Sequence, residues 1–216
     1  MTTNIYKCYL FDFDGTLVDS MPYYARAMLQ ILDEYGVSYP SDIVKTITPL
    51  GYSGTAEYYL KAFSLPSTRE ALIERMLSLA KENYEKHIPL KEGVREALLA
   101  LREGGASLNI LTASPHDVLD VCLKRLGIYD LFDNIWSCDD FATTKANPEI
   151  YLEAARRLGV SPREYLFIDD NYNAVKTAME AGVVAYGIYD KSGEDFAEAL
   201  REMADGYLMT LADLLK

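Results

Sequence analysis

The sequence predicts an α/β protein: a doubly wound parallel sheet, with an all-helical segment inserted after the first strand. Residues 5–11 are mostly apolar, β-branched or aromatic, which is typical of a strand buried on both faces of a parallel sheet. Between residues 20 and 87, apolar residues recur at helical spacing without a convincing strand pattern. From residue 92 onward, strand patterns alternate with helices of about ten or more residues, which indicates parallel strands joined by crossover helices.

The inserted segment is predicted as a set of helices separated by local stop signals. Gly36 follows the first helix as a stop, and the run from Ser67 to Glu70 has the form of a capping box that opens the last. The predicted helices span residues 22–35, 41–47, 53–63 and about 69–87, with a glycine-flanked loop at 51–54.

The alternating part supplies the remaining strands and helices. Ser114-Pro115 and Asn147-Pro148 each combine a capping side chain with a proline at the start of a helix. Strands are predicted at residues 6–13, 107–111, 134–137, 165–168 and 183–188; helices are predicted at 92–103, 115–126, 148–158, 171–181, 192–204 and 211–214. The domain boundaries follow: residues 1–18 and 89–216 form the core, and residues 19–88 form a helical cap joined by hinges near 18–21 and 88–93.

Composition narrows the classes of function. The 216 residues are half hydrophobic and carry a formal net charge of −12. This charge argues against a nucleic-acid or anionic-membrane surface, because phosphate-backbone binding needs clustered Lys and Arg. The three cysteines form no CxxC pair, and the first residues lack a signal-peptide pattern, so we expect a cytoplasmic protein.

Two carboxylates close the first predicted strand. Asp12 and Asp14 are separated by one residue. In a strand of ordinary rise, their side chains share a face and their Cα atoms lie about 6.6 Å apart. They are followed by Gly15, which permits a sharp turn. Ligands of open α/β sheets bind at the carboxyl ends of the strands, and paired like charges favour a cation. We therefore expect Mg²⁺, which prefers hard oxygen ligands.

Polar groups also follow three later strands. Thr112 ends one strand, Lys145 lies beyond the next, and Asp169-Asp170 end the one after that. In a parallel sheet with these strands adjacent, all of these groups meet at one edge. A set of acids, a hydroxyl and a cation suits phosphoryl transfer, in which catalysis is mainly positioning and charge neutralisation.

These motifs resemble those of the haloacid dehalogenase (HAD) superfamily hydrolases with a helical C1-type cap, in the phosphatase and β-phosphoglucomutase-like branch. The resemblance rests on Asp12-Phe13-Asp14-Gly15-Thr16, Leu111-Thr112-Ala113, Lys145 and Phe167-Ile168-Asp169-Asp170, in the order of the family. It implies a Rossmann-like core and a Mg²⁺-dependent phosphatase for a small phosphorylated metabolite.

The resemblance also implies a role for each motif residue. Asp12 would be the nucleophile and a metal ligand, and Asp14 the general acid and base, with its backbone carbonyl on the metal. Asp170 would ligate Mg²⁺ through its side chain, and Asp169 would be a second ligand or act through water. Thr112, Ala113 and Lys145 would hold the transferring phosphoryl group.

Other readings remain open from the sequence. The same core motifs would serve a sugar phosphomutase similar to β-phosphoglucomutase; a phospho-receiver signalling domain and a catalytically silent binding protein are more remote. We expect a monomer or weak homodimer. Candidate substrate contacts are Tyr24, Tyr52, Ser53 and His116, for which the alternatives are core packing in the cap and, for His116, a surface helix position.

Overall fold

The computed structural model describes residues 6–216, apart from the side chain of Pro49, and divides them into two compact units. One unit comprises the chain up to Asp19 together with Pro89–Lys216, and the other comprises Ser20–Ile88. These limits differ by one residue from the domain boundaries set at 18/19 from the sequence. Residues 1–5, which include the start of the apolar run in the predicted first strand, lie outside the described residues.

The larger unit is built on a parallel sheet, which confirms the predicted fold class. Its strands are β1 (Cys8–Phe11), β2 (Ser107–Thr112), β3 (Asn134–Ser137), β4 (Tyr165–Asp169), β5 (Val184–Ile188) and β6 (Gly206–Leu208). Every neighbouring pair is parallel, in the Rossmann-like order β3-β2-β1-β4-β5-β6. β1 lies between β2 and β4, so the carboxyl ends of these three strands adjoin at the centre of one sheet edge.

The α-helices follow the alternation that the sequence predicts. In chain order they are α1 (Met21–Glu34), α2 (Ile43–Ile47), α3 (Gly51–Phe63), α4 (Arg69–Lys86), α5 (Val94–Glu103), α6 (His116–Arg125), α7 (Glu149–Leu158), α8 (Tyr172–Glu180) and α9 (Ala197–Met203). Every residue of β1 and β4 is buried, as expected for parallel strands covered on both faces. Their side chains share one apolar cluster with α7 and α8, including Leu10, Phe167, Tyr151 and Val175.

The smaller unit contains only helices among its described residues. Helices α1, α3 and α4 pack around a core that includes Met28, Tyr59, Leu72 and Met76. The buried Tyr59 hydroxyl donates to the Met28 carbonyl oxygen at 3.0 Å, which satisfies the one polar atom of that ring. This unit therefore has a core of its own, as a separately packed domain requires.

Three local predictions in the first half of the chain are wrong for reasons that the contacts explain, and other element ends shift by one or two residues. The first strand ends at Phe11, not at residue 13, because the chain leaves the ladder and turns at Gly15, whose φ is +78°. The loop expected at residues 51–54 is the first turn of α3. Gly54 fits there because its missing Cβ would stand 2.9 Å from Leu50 Cβ. The cap of α4 is Thr68 rather than Ser67, since the Thr68 hydroxyl accepts from the Ala71 amide at 3.2 Å.

The C-terminal part differs more. The helix predicted over residues 192–204 consists of a 3₁₀ segment, Lys191–Phe196, followed by the shorter α9, and the segment predicted at 211–214 is a 3₁₀ helix. Strand β6 was not predicted from the sequence. A Cβ at Gly206 would stand 2.7 Å from the Tyr186 ring, so glycine is needed for β6 to lie beside β5.

Among residues 6–216, no helix combines the length and apolar composition needed to cross a lipid bilayer.

Candidate active site

The loop after β1 begins inside the sheet and turns out of it within four residues. Asp12 is still tied to the sheet, because its amide donates to the Ile168 carbonyl oxygen of β4 at 2.9 Å. The side chain of Asp12 is buried, whereas that of Asp14 is partly exposed. The turn is closed by the Gly15 amide, which donates to the Val18 carbonyl oxygen at 3.0 Å. Asp12 therefore has a rigid backbone position at the centre of the sheet edge.

Lys145 joins the acids of two adjacent strands. It reaches the edge from the loop between β3 and α7, and its Nζ donates to Asp12 Oδ1 at 2.6 Å and to Asp169 Oδ2 at 2.7 Å. The Lys145 side chain is 14% exposed, so its charge is poorly hydrated and depends on these carboxylates. The sequence expectation that Lys145 meets the strand-end acids thus agrees with the observed geometry.

Asp169 and Asp170 differ in their partners. The second oxygen of Asp169, Oδ1, accepts from the Asn171 amide at 2.7 Å, so both Asp169 oxygens are engaged. Asp170 Oδ1 accepts a longer bond, of 3.4 Å, from the Thr16 hydroxyl. One carboxylate oxygen from each of Asp12, Asp169 and Asp170 lies within 4.8 Å of the others. Oxygen ligands converging in this way are suited to a divalent cation.

The site places the carboxyl groups of Asp12, Asp169 and Asp170 around the ammonium group of Lys145, and burial and charge together shift the pKa values of Asp12, Asp170 and Lys145. Burial raises the pKa of Asp12 to about 7, although the ammonium group of Lys145 opposes the shift. Burial, and then the charges of Asp169 and Asp12, raise the pKa of Asp170 well above its usual range. Burial alone would lower the pKa of Lys145, but the charges of Asp12 and Asp169 outweigh it and raise that pKa well above normal. Three carboxyl groups facing one ammonium group would be stabilised by a further cation.

Thr112 and Ser114 connect β2 to Asp14. The Thr112 hydroxyl accepts from the Ser114 amide at 3.0 Å, and the Ser114 hydroxyl donates to Asp14 Oδ2 at 2.6 Å. The sequence expectation that Ser114 caps the following helix is wrong, since α6 begins at His116 with Pro115 before it. Ala113, between the two hydroxyl residues, is exposed. The hydroxyl of Ser114 thus orients the Asp14 carboxyl group.

The four candidate substrate contacts have partners of their own. The rings of Tyr24 and Tyr52 lie 4.9 Å apart between centroids, and Ser53 Oγ accepts from Arg69 Nη2, all within the smaller unit. His116 lies at the start of α6, 42% exposed. Its ring nitrogens lie 3.1 Å from a carboxylate oxygen of Asp120 and 2.9 Å from one of Asp140. Their contact with substrate remains a prediction.

The chain matches known proteins over almost its whole length. The family model of the haloacid dehalogenase-like hydrolases matches residues 9–188. The chain belongs to this family. Hexitol phosphatase B of Escherichia coli (strain K12) is a relative that is 29% identical to this chain over 212 residues, with 95% of each chain covered.

Solved structures match this chain over almost its whole length as well. A Thermotoga maritima structure, provisionally named a β-phosphoglucomutase, is 26% identical with a TM-score of 0.83, covering 97% of this chain and 96% of that one. A HAD family hydrolase from Deinococcus radiodurans R1, solved with bound phosphate and sodium, is also 26% identical, with a TM-score of 0.80 and coverage of 98% and 94%. The protein is therefore a haloacid dehalogenase-like hydrolase with the fold of that family.

Two side chains of this haloacid dehalogenase-like site were not anticipated as such from the sequence. Ser114 contacts Asp14 across 100 residues of chain, and Thr16 contacts Asp170 across 154. Thr16 belongs to the opening motif and could have been found from its position in it. Ser114 carries a competing local signal, because serine before proline reads as a helix cap.

Proposed function

We propose that the protein is a Mg²⁺-dependent phosphatase that hydrolyses a small phosphomonoester through a phosphoaspartate at Asp12. The observation that supports this most directly is the bridge from Lys145 to Asp12 and Asp169 at 2.6 and 2.7 Å. It holds a buried carboxylate beside a cation at the carboxyl end of a central strand. Such a carboxylate is fixed in place for attack on an electrophile, while the ammonium group offsets the charge of an incoming phosphate.

The residues present fit a magnesium ion. Asp12 and Asp170 have carboxylate oxygens close enough to share one ion, and the hydrogen bond that Asp170 accepts from Thr16 is long, at 3.4 Å. Asp169 has both oxygens engaged, by Lys145 and by the Asn171 amide, which favours an orienting role for it through water or through Lys145. When bound, Mg²⁺ would neutralise charge on the phosphoryl oxygens and favour ionised carboxylates.

The chain's own residues then provide a complete reaction. An oxygen of Asp12 attacks phosphorus while the bond from phosphorus to the ester oxygen breaks, and Asp14 donates a proton to the departing alkoxide. Asp14 next removes a proton from water, which attacks phosphorus and releases Asp12 and inorganic phosphate. Thr112 and Lys145 hold the phosphoryl oxygens throughout, and the Ser114 hydroxyl keeps the Asp14 carboxyl group oriented.

Two relatives support the phosphate chemistry and suggest where to look for the substrate. Hexitol phosphatase B acts, by its name, on a phosphorylated hexitol, and the Deinococcus radiodurans hydrolase was solved with phosphate. We therefore propose a small phosphorylated metabolite as substrate, with hexitol and sugar monophosphates tested first. We also propose that residues 19–88 act as a cap that selects the substrate, with Tyr24, Tyr52 and Ser53 as the first positions to test.

The test is release of inorganic phosphate from a panel of phosphomonoesters, with Mg²⁺ and with EDTA. In Asp12→Asn we expect turnover to fall by about 10³-fold or more, because an amide cannot act as the nucleophile. Asp195→Asn, the same change at an exposed carboxylate, is the matched control and should keep wild-type turnover. Circular dichroism and thermal unfolding establish that both variants are folded. Substantial turnover in folded Asp12→Asn would overturn the assignment of the nucleophile.

The phosphomutase is the second candidate, favoured by the likeness to the Thermotoga maritima structure named a β-phosphoglucomutase. A mutase would return the phosphoryl group from Asp12 to a sugar hydroxyl rather than to water. Incubation with hexose 1-phosphates and 6-phosphates separates the two, with positional isomers expected from a mutase and free phosphate from a phosphatase.

A further inference from the structure

Lys91 follows shortly after the chain returns from residues 20–88, and its ammonium group has three acceptors. Nζ donates to the Gly15 carbonyl oxygen at 2.5 Å, to the Tyr189 carbonyl oxygen at 2.7 Å and to Asp190 Oδ2 at 2.8 Å. An ammonium group has three N–H bonds, so these contacts use all of them. The side chains of Lys91 and Asp190 are 17% and 5% exposed. Lys91 therefore has a single, fully bonded position.

This bridge joins parts of the chain that are far apart in sequence. Gly15 lies 76 residues from Lys91, and Asp190 lies 99 residues from it. A buried ion pair is a weak source of net stability, because the loss of hydration offsets much of the attraction. Two of the three acceptors are backbone carbonyls, so the bonds fix the course of the main chain at the turn after Asp14 and at the end of β5.

The backbone of Lys91 holds the other side of the same turn. Its amide donates to the Leu17 carbonyl oxygen at 3.0 Å, and nearby the Asp19 amide donates to the Pro89 carbonyl oxygen at 3.0 Å. The side chain of Lys91 thus contacts the turn at Gly15, while its backbone contacts the segment that leaves the turn. A displacement of Lys91 would be transmitted to the peptide next to Asp14.

The turn at Gly15 also lies against Asp170. A Cβ at Gly15 would stand 2.6–2.8 Å from the Asp170 carboxylate, so the Gly15 backbone forms a wall of the site. Gly193 lies on the backbone side of Asp170, since a Cβ at Gly193 would stand 3.7 Å from the Asp170 carbonyl oxygen. The Gly193 amide donates to the Asp190 carbonyl oxygen. Both segments that confine Asp170 are therefore tied to the Lys91–Asp190 pair.

We propose that Lys91 is a positioning residue for the reaction at Asp12, an inference that rests on the proposed phosphatase function. It touches no substrate. It holds the Gly15 peptide, and through that peptide it sets the positions of the acid–base residue Asp14 and of Asp170. Loss of this restraint lowers the rate of the chemical step and leaves substrate affinity nearly unchanged.

The test compares variants that separate position from charge. Asp190→Asn removes the negative charge but leaves the Lys91 bonds to Gly15 and Tyr189. Lys91→Met combined with Asp190→Asn removes the ammonium group without leaving a buried carboxylate unpaired, so it should fold even if Lys91→Met alone does not. Lys91→Arg keeps the positive charge, but its planar group cannot direct three donors to the same three acceptors.

We expect Asp190→Asn to keep kcat within about threefold of the wild type, since the contact with Gly15 remains. The double variant and Lys91→Arg should lose about 10- to 100-fold in kcat, with KM changed by less than about threefold, as for a misplaced catalytic group. A folded double variant whose kcat equals that of Asp190→Asn would overturn the proposal. If both values were near that of the wild type, Lys91 would not position the site; if both were equally reduced, charge rather than position would matter.

Hydrogen exchange supplies a measurement that does not depend on turnover. The Gly15 amide donates to Val18, and the Leu17 and Val18 amides donate to the Phe13 carbonyl oxygen. In the double variant these amides should exchange at least about tenfold faster than in Asp190→Asn, because the turn has lost its outer restraint. Unchanged exchange would contradict the proposed restraint. If the wild type releases no phosphate but the exchange difference is present, the proposed function has failed and the restraint by Lys91 stands.

Discussion

Replacing Lys145 by methionine should destabilise the folded protein in the absence of a divalent cation. Lys145 is 14% exposed and donates at 2.6 and 2.7 Å to Asp12 and Asp169, so its loss leaves two buried carboxylates without their cation, next to Asp170. Removing one partner of a buried ion pair costs about 3–5 kcal/mol. In a protein of this size, that corresponds to a drop in the unfolding midpoint of roughly 6–20 °C.

The loss should be larger at high pH. Burial already raises the pKa of Asp12 to about 7 against the opposing effect of Lys145, and without the ammonium group it rises further. When a carboxyl group has a higher pKa in the folded protein than in the unfolded chain, the folded protein loses stability as the pH rises from the lower pKa to the higher one. The reason is that the group ionises more easily in the unfolded chain. The destabilisation in Lys145→Met should therefore be smallest at about pH 5 and largest at about pH 8.

Urea unfolding followed by intrinsic fluorescence in EDTA, at both pH values, measures this effect. Lys176→Met on α8 is the matched control, because it removes an exposed lysine from the same unit. We expect the control to stay within about 0.5 kcal/mol of the wild type, as for most surface changes. A Lys145→Met protein within about 1 kcal/mol of the wild type at both pH values would refute the view that this lysine neutralises buried acids.

Two further substitutions have defined outcomes. Gly15→Ala would place a Cβ 2.6 Å from an Asp170 oxygen at a φ of +78°, whereas Gly105→Ala would place one in open space at a φ of +81°. In urea unfolding, Gly15→Ala should therefore lower the free energy of unfolding by about 1–3 kcal/mol more than Gly105→Ala does. Equal losses in the two variants would contradict the close contact with Asp170. Hydrogen bonds to Asp140 and Asp120 raise the pKa of His116. Protonated His116 therefore stabilises the folded protein fully below the pKa that His116 has in the unfolded chain, and this stabilisation is lost as the pH rises through its pKa in the folded protein. His116→Gln should lower the thermal midpoint at about pH 5.5 but not at about pH 9. An equal loss at both pH values would contradict this expectation.

The positions of the central strands could be predicted from the sequence because they depend on local composition. β1 and the first four residues of β4 are unbroken apolar or aromatic runs, since both faces of a central parallel strand are buried. β6 could not be predicted in this way. It has three residues and begins with Gly206, whose suitability is evident only beside the Tyr186 ring of the neighbouring strand.

The same division applies to the site. Local patterns place Asp12 and Asp169 at the ends of two strands and Lys145 shortly before a helix. Because adjacent parallel strands have their carboxyl ends at the same edge of a sheet, these three residues could be expected to meet there. The sequence also determined the helical insertion, through its periodicity and stop signals. Strand ends and helical segments can be predicted locally because the apolar pattern of each segment reflects which of its faces are buried.

Tertiary structure alone decided the contacts that refine the site. Ser114 has the local pattern of a helix cap, but its hydroxyl donates to Asp14, 100 residues away. Lys91 and Asp190 have no spacing or periodicity that pairs them, and only the fold brings them to the turn at Gly15. Periodicity records which residues are buried, whereas a hydrogen bond depends on the position of two atoms to a few tenths of an ångström, which only the packed chain determines.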